Sequence, residues 1–114
     1  MELRFTQEPI PELTFTGSAL ARNGFTAGMR VALQHKHPIL YIVVVNDNTT
    51  WDTYCETSQH NPMLGADWVD DDGQLVIGGD WLTNLGITQA DHVDAAIAPG
   101  IIIIRRRADG ILKV

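Results

Sequence analysis

An internal repeat constrains the fold of this chain more than any other feature of its sequence. Residues 13–44 and 75–106 align without a gap at an offset of 62, and eight of the 32 aligned pairs are identical. The identical pairs are Leu13/Leu75, Gly17/Gly79, Leu20/Leu82, Gly24/Gly86, Thr26/Thr88, Val31/Val93, Ile39/Ile101 and Ile42/Ile104. Such a repeat indicates two copies of one supersecondary unit, neither of which can bury its apolar strands alone. We therefore predict one domain with a shared core.

Size and composition fit a single folded domain. The chain has 114 residues, of which 45% are hydrophobic and 19% charged. The N-terminal segment lacks the apolar run of a signal peptide, and no stretch reaches the roughly 18 apolar residues of a membrane span. Cys55 is the single cysteine, so no internal disulfide can form, which suits a reducing compartment. We expect a cytoplasmic protein that does not associate with membranes.

Each repeat presents the same order of local signals. They are an alternating strand ending at Gly17 or Gly79, a short helix with Ser18 or Asp80 as N-cap, a left-handed C-cap at Gly24 or Gly86, and a hairpin whose return arm is residues 39–45 or 101–104. Continuous apolar runs are typical of strands covered on both faces, as in a small barrel. The pattern predicts a mainly β fold with two short helices.

The two repeats are separated by a stretch that belongs to neither. We divide the chain into repeat one (residues 1–45), an acidic and polar connector (46–65) and repeat two (66–114). The connector exceeds the usual length of a loop, and loops of that length are functional or disordered. Residues 66–69 are predicted to form a short strand equivalent to residues 3–5, and the end of the chain a turn at 108–110 followed by a strand at 111–114.

The ordered motif resembles the SymE-like toxin family, a branch of the swapped-hairpin barrel superfamily that includes the AbrB-type regulators. Gly79, Trp81, Leu82, Gly86 and the aliphatic strand 101–104 fall on the family's pattern, and residues 13–44 match it more loosely. The resemblance implies a tandem-repeat swapped-hairpin barrel, formed within one chain as a pseudo-dimer. It also implies a toxin–antitoxin context, in which relatives target RNA or bind DNA.

The most distinctive local feature is a set of acids close to two tryptophans. Residues 45–74 carry seven of the 14 acids and no Lys or Arg, in a chain of net charge −6. We call the following set the acidic–aromatic surface: Trp51, Asp52, Glu56, Asp67, Trp68, Asp70, Asp71 and Asp72. Charge steering and aromatic anchors of this kind suit a basic protein partner. The simpler interpretation is a solvated turn beside a core tryptophan.

Other candidate chemistry is sparse. Arg105, Arg106 and Arg107 continue an aliphatic strand, in which Arg105 and Arg107 share a face and could contact two phosphates, although basic runs also serve as solvated strand edges. The remaining candidates, His35, His37, Cys55 and His60, lack the grouping of a zinc site. We assign no catalytic residue, metal or cofactor.

Three functions remain open on the sequence alone. The leading hypothesis is a non-enzymatic antitoxin or immunity protein that neutralises a basic toxin domain through the acidic–aromatic surface. The first alternative is a SymE-like toxin that binds or cleaves RNA, in which case the chain would be an endoribonuclease. The second is an AbrB-type DNA-binding regulator. We expect a monomeric pseudo-dimer rather than an obligate homodimer.

Overall fold

A computed structural model describes residues 1–7 and 10–107, so the turn and strand predicted for residues 108–114 lie outside the described part of the chain. The elements, in chain order, are β1 (Glu2–Thr6), β2 (Glu12–Thr16), α1 (Ser18–Arg22), β3 (Arg30–Lys36), β4 (Ile39–Val44), α2 (Asn48–Ser58), β5 (Leu64–Trp68), β6 (Leu75–Gly78), α3 (Asp80–Thr83), a 3-10 turn (Ala90–His92), β7 (Val93–Ala98) and β8 (Ile101–Arg106). The prediction of a mainly β chain is confirmed, with three short helices rather than two.

The strands form two antiparallel sheets. One has the order β1-β2-β6 and the other the order β5-β3-β4-β8-β7. The described residues therefore contain two open sheets and no closed barrel. Both predicted hairpins are present, as β3–β4 and β7–β8, and their aliphatic return arms pair with each other at the centre of the larger sheet.

Two pairings join the first half of the chain to the second, and their registers follow the offset of 62. Each sheet contains pairs of residues that are related by this offset. If the residue number of the first partner is raised by 62 and that of the second is lowered by 62, the result is another pair of the same sheet. These pairs are Leu13 with Ile77 and Phe15 with Leu75 in the smaller sheet, and Ile39 with Arg105 and Val43 with Ile101 in the larger. Residues that correspond in sequence thus occupy corresponding places about a local two-fold relation.

One hydrophobic core takes residues from both halves and both sheets. Inward side chains alternate along β4, β6 and β8, as the two-residue period of a strand requires, whereas in β2 and β3 the intervening Thr14 and Ala32 are buried as well. The largest fully buried side chains are Leu13, Phe15, Leu20, Phe25, Leu33, Leu40, Ile42, Leu75, Ile77, Leu82, Ile87 and Ile102. Leu20 and Leu82 come from the short helices, which dock on the strands because helices of this length do not persist alone.

The predicted N-caps are wrong, while the predicted C-caps are confirmed. Helices α1 and α3 begin at Ser18 and Asp80 themselves, with Gly17 and Gly79 as N-cap residues at φ 105° and 64°, and neither end has a side-chain cap hydrogen bond. A positive φ at each glycine turns the chain into the helix one residue early. The C-terminal glycines have φ of 94° and 80°, as left-handed caps require.

The central strands β4 and β8 are only partly covered on their outer face, which corrects the expectation of burial on both faces. Their inner side chains are fully buried, but the outward ones, such as Tyr41, Ile101 and Ile103, are half-buried. Helix α2 contacts β5 and β3, which lie to one side of this face.

Strands β1 and β5 correspond at the offset of 62 but lie in different sheets. Strand β5 pairs with the outer edge of β3, with Arg30 opposite Trp68, whereas β1 pairs with β2. As a result, the outer edge of β7, which corresponds to the covered edge of β3, pairs with no strand of the described residues.

No helix of the described residues combines the length and the apolar character needed to cross a bilayer.

Candidate functional site

The connector contains a helix, which corrects the expectation of a polar loop. Helix α2 spans Asn48–Ser58, and the Asp47 carboxylate caps its start by accepting from the Thr50 amide at 2.8 Å and from the Thr50 hydroxyl at 2.6 Å. These hydrogen bonds from Thr50 lower the pKa of Asp47. The sequence Asn-Asp-Asn at residues 46–48 is typical of a turn, but Asp is also among the best N-cap residues.

A stripe along α2 gives the signal that could have revealed this helix. The half-buried residues of α2 are spaced three and four apart, which places them on one face, and they are Trp51, Tyr54, Cys55 and Ser58. That face contacts β5. Asp52 and Glu56, four residues apart, are exposed on the rest of the helix surface. Because this face mixes polar and apolar side chains, the helical periodicity of hydrophobic residues is weak, and the sequence does not predict the helix.

Arg30 connects the two tryptophans of the acidic–aromatic surface. Its guanidinium carbon lies 5.5 Å from the centre of the Trp51 ring, and its Nη1 donates to the Asn48 Oδ1 at 2.8 Å. On the neighbouring strand, Trp68 pairs directly with Arg30. The indole of Trp51 is half-buried, while Trp68 is 60% exposed, the highest value among the large hydrophobic residues described. Trp68 is therefore a surface residue rather than a core residue.

Asp67 lies next to Trp68 on β5 and is half-buried. Its Oδ1 accepts from the Trp68 amide at 2.8 Å. Burial raises the pKa of the Asp67 carboxyl, and the bond from Trp68 offsets part of that effect. The ionised form of Asp67 is thus held at some cost in folding free energy.

We expect Asp67→Asn to stabilise the fold at neutral pH by about 0.5 kcal/mol, since solvent screens the exposed part of the side chain. A carboxyl whose folded pKa is raised loses stability as the pH rises through its unfolded and folded pKa values, and the amide is spared that loss. Urea unfolding at pH 7 and about pH 3 would measure this, with the gain absent at the lower pH. An equal gain at both values would contradict the charge mechanism. Asp71→Asn, at an exposed site, is the control.

The acids that follow β5 form a tight turn. Asp70 Oδ1 accepts from the amides of Asp72 and Gln74, both at 2.9 Å, and Gly73 has a φ of 78°. Asp70 therefore organises the turn, while Asp71 and Asp72 are exposed and free to contact a partner.

The structure thus places the sequence-predicted residues on adjoining elements, but in unequal roles. Trp68, Asp52, Glu56, Asp71 and Asp72 are exposed on α2, at the end of β5 or on the turn. The others are half-buried, and they are Trp51 beside Arg30, Asp67 on β5 and Asp70 in the turn. The roles of Arg30 and Asn48 could not be predicted from the sequence, because a contact between strand β3 and helix α2 leaves no local signal.

The three arginines are less available than the sequence suggested. Arg105 Nε lies 2.8 Å from the Asp94 Oδ2, and Arg107 donates its Nη2 to the Val93 carbonyl at 3.0 Å. Strand β8 ends at Arg106, so Arg107 lies beyond the face that it was predicted to share with Arg105. The Arg106 side chain packs beside Gly86.

Within the described part of the chain, no three His, Cys, Asp or Glu side chains are grouped to hold a metal ion. The Cys55 thiol is half-buried, and the His35 and His37 rings meet edge to face with centroids 5.9 Å apart. A groove of about 290 Å³ runs between α2 and the outer face of β4, lined by residues that include Ala32, Val43 and Tyr54.

Comparisons with protein-family models, with curated proteins and with solved structures found no match to this chain. The resemblance to the SymE-like family therefore rests on the motif residues alone.

Proposed function

We propose that this chain is a non-enzymatic binding protein of the antitoxin or immunity type, which neutralises a basic toxin domain in the cytoplasm through the acidic–aromatic surface. The observation that carries the proposal is the exposure of Trp68 at the end of β5, beside the acidic turn and α2. Buried aromatic anchors dominate protein interfaces, and a rim of single-sign charge steers the approach of a partner of opposite charge.

The proposed scaffold is a SymE-like swapped-hairpin arrangement built within one chain, so that a monomer forms the pseudo-dimer. The two-fold relation of the strand registers supports this interpretation. The free thiol of Cys55 supports a reducing compartment.

The engagement of two of the arginines weakens the case for a nucleic-acid-binding face. The ion pair between Arg105 and Asp94 and the bond from Arg107 to Val93 occupy two of the three basic side chains. Nucleic-acid affinity depends mainly on free cationic groups, and the net charge of −6 opposes it. The antitoxin or immunity function is therefore preferred over the RNA-directed toxin and the DNA-binding regulator.

The test is a titration of this chain against the protein encoded by the gene next to its own, with binding measured by calorimetry. We expect Trp68→Ala to weaken binding about 30-fold, the loss typical of a central aromatic anchor. The control is Leu3→Ala, which truncates another exposed apolar side chain, on the smaller sheet. Equal losses for the two variants would contradict the proposed surface.

Charge is tested separately with two triple variants of equal net charge. The first changes Asp52, Asp71 and Asp72 to asparagine, and omits Asp70 because it holds the turn. The second, the control, carries Glu2→Gln, Asp80→Asn and Asp91→Asn at exposed sites elsewhere. We expect only the first to slow association and to flatten its dependence on salt. In growth assays, arrest by the chain alone that is relieved by changing Arg105 and Arg106 to alanine would favour the RNA-directed toxin instead.

A further inference from the structure

Within the described residues, the outer edge of β7 has main-chain groups without a hydrogen-bond partner, and their positions follow from the ladder with β8. The Arg107 amide donates to the His92 carbonyl at 2.6 Å. The ladder therefore directs the main-chain amides and carbonyls of the even-numbered residues of β7 toward β8, and those of the odd-numbered residues away from it. On the corresponding strand β3, an outward amide, that of His35, donates to the Met63 carbonyl at 2.8 Å. His35 corresponds to Ile97, for which the described residues offer no such strand.

At both ends of this edge the main-chain groups are already hydrogen-bonded or lack a donor, whereas those in the middle have no partner among the described residues. At Val93 the amide donates to the Ala90 carbonyl, and the carbonyl accepts from Arg107. At the other end, Pro99 has no amide to donate. As far as residues 1–7 and 10–107 show, the open window therefore consists of Ala95 and Ile97, which together present two main-chain donors and two acceptors.

The window lacks the features that usually prevent a sheet edge from pairing with another strand. Strand β7 contains no lysine and no proline, and its register with β8 runs from Val93 to Ala98 without a bulge. Its only charged side chain, Asp94, is paired with Arg105. The exposed side chains of Ala96 and Ala98 are too small to shield the main chain.

We propose that β7 is a self-association edge, at which two copies of this chain pair antiparallel with Ala95 of each opposite Ile97 of the other. In this register, the amides and carbonyls of Ala95 and Ile97 in each copy form hydrogen bonds with those of Ile97 and Ala95 in the other. Ala96 then faces Ala96 of the second copy in a close, non-hydrogen-bonded pair, which small side chains suit. Val93 faces Pro99, so the carbonyl already used by Arg107 meets a residue without an amide.

The charges and the size of the window favour a second copy over an unrelated partner. Asp94 faces Ala98 in this register, so no like charges oppose each other, and the sequence of β7 complements itself. A window this short buries less than the roughly 1,200 Å² of a standard interface, so the association is weak and depends on concentration. The pairing joins two chains that are already folded, and it lies at the opposite end of the five-stranded sheet from β5.

Sedimentation equilibrium and amide hydrogen exchange of the whole chain test this proposal from about 10 μM to about 1 mM. We expect the mass to rise from 12.6 kDa toward twice that value, and the amides of Ala95 and Ile97 to become more protected as the concentration rises. Ala96→Lys should remain monomeric throughout, because two lysines would face each other across the pair. Ala21→Lys, the same change at an exposed position of α1, should associate like the wild type.

A mixture provides the second arm of the test. Ala96→Lys and Ala96→Glu should each stay monomeric alone and associate when mixed, since opposite charges then face each other. A wild type that is monomeric up to about 1 mM overturns the proposal, as does a dimer that Ala96→Lys leaves unchanged. Unaltered near-UV circular dichroism of each variant shows that the fold is intact. Because the acidic–aromatic surface lies elsewhere, a loss of toxin binding in Trp68→Ala with self-association retained separates this proposal from the proposed function.

Discussion

Phe15→Ala is expected to lower the free energy of unfolding by about 3–5 kcal/mol. Phe15 is completely buried in the middle strand of the smaller sheet, where it pairs with Leu3 on one side and Leu75 on the other. Removing the ring forfeits its transfer free energy and leaves a cavity that a strand held on both sides cannot close. For a domain whose total stability is about 5–15 kcal/mol, this is a large fraction.

Urea unfolding followed by circular dichroism would measure that loss, and Phe5→Ala is the matched control. Phe5 is half-buried on β1, an edge strand that can relax, so the same truncation should cost clearly less. Equal costs at the two positions would show that the core does not centre on β2.

Ile42→Ala and Ile104→Ala are each expected to cost about 2–5 kcal/mol and to cost nearly the same. The two residues correspond at the offset of 62, both are fully buried, and they lie on the adjoining strands β4 and β8 at the centre of the larger sheet. Because this pairing joins the first half of the chain to the second, each variant should still unfold in one transition.

Thermal unfolding by calorimetry, compared with the van't Hoff enthalpy, tests both parts of this expectation. Ile103→Ala, on the half-buried outer face of the same strand, removes the same atoms and should cost less. Two separate transitions, or one position costing several times the other, would contradict a shared core with a local two-fold relation.

The hairpins and the core were predictable from sequence because each depends on local patterns. The alternation of residues 13–16 and the aliphatic runs after each turn give β2, β4 and β8 nearly at their observed bounds. The strand predicted at 66–69 is present as β5, from Leu64 to Trp68. The sheet to which β5 belongs could not be predicted in this way. The corresponding strands β1 and β5 pair with different neighbours, because pairing depends on tertiary contacts that the repeat does not encode.

The candidate site was predictable in composition but not in shape. The sequence identifies the acids and tryptophans but predicts a loop as their scaffold, because α2 is short and its half-buried face mixes Trp51 with Cys55 and Ser58. The role of Arg30 depends on the pairing of β3 with β5 and on the return of α2 to that edge. Likewise, the bond from Arg107 to Val93 could not be inferred from three adjacent arginines.

The local two-fold relation of the strands is not shared by the surface that we propose for binding. The residue that corresponds to Trp68 in the first half is Thr6, so the exposed indole occurs in one half only. A scaffold built from two identical half-length chains would present such an anchor twice and could gain avidity by holding two partners or two sites at once. This chain has one such surface, so under the proposed function it would bind a basic toxin domain at one molecule per chain.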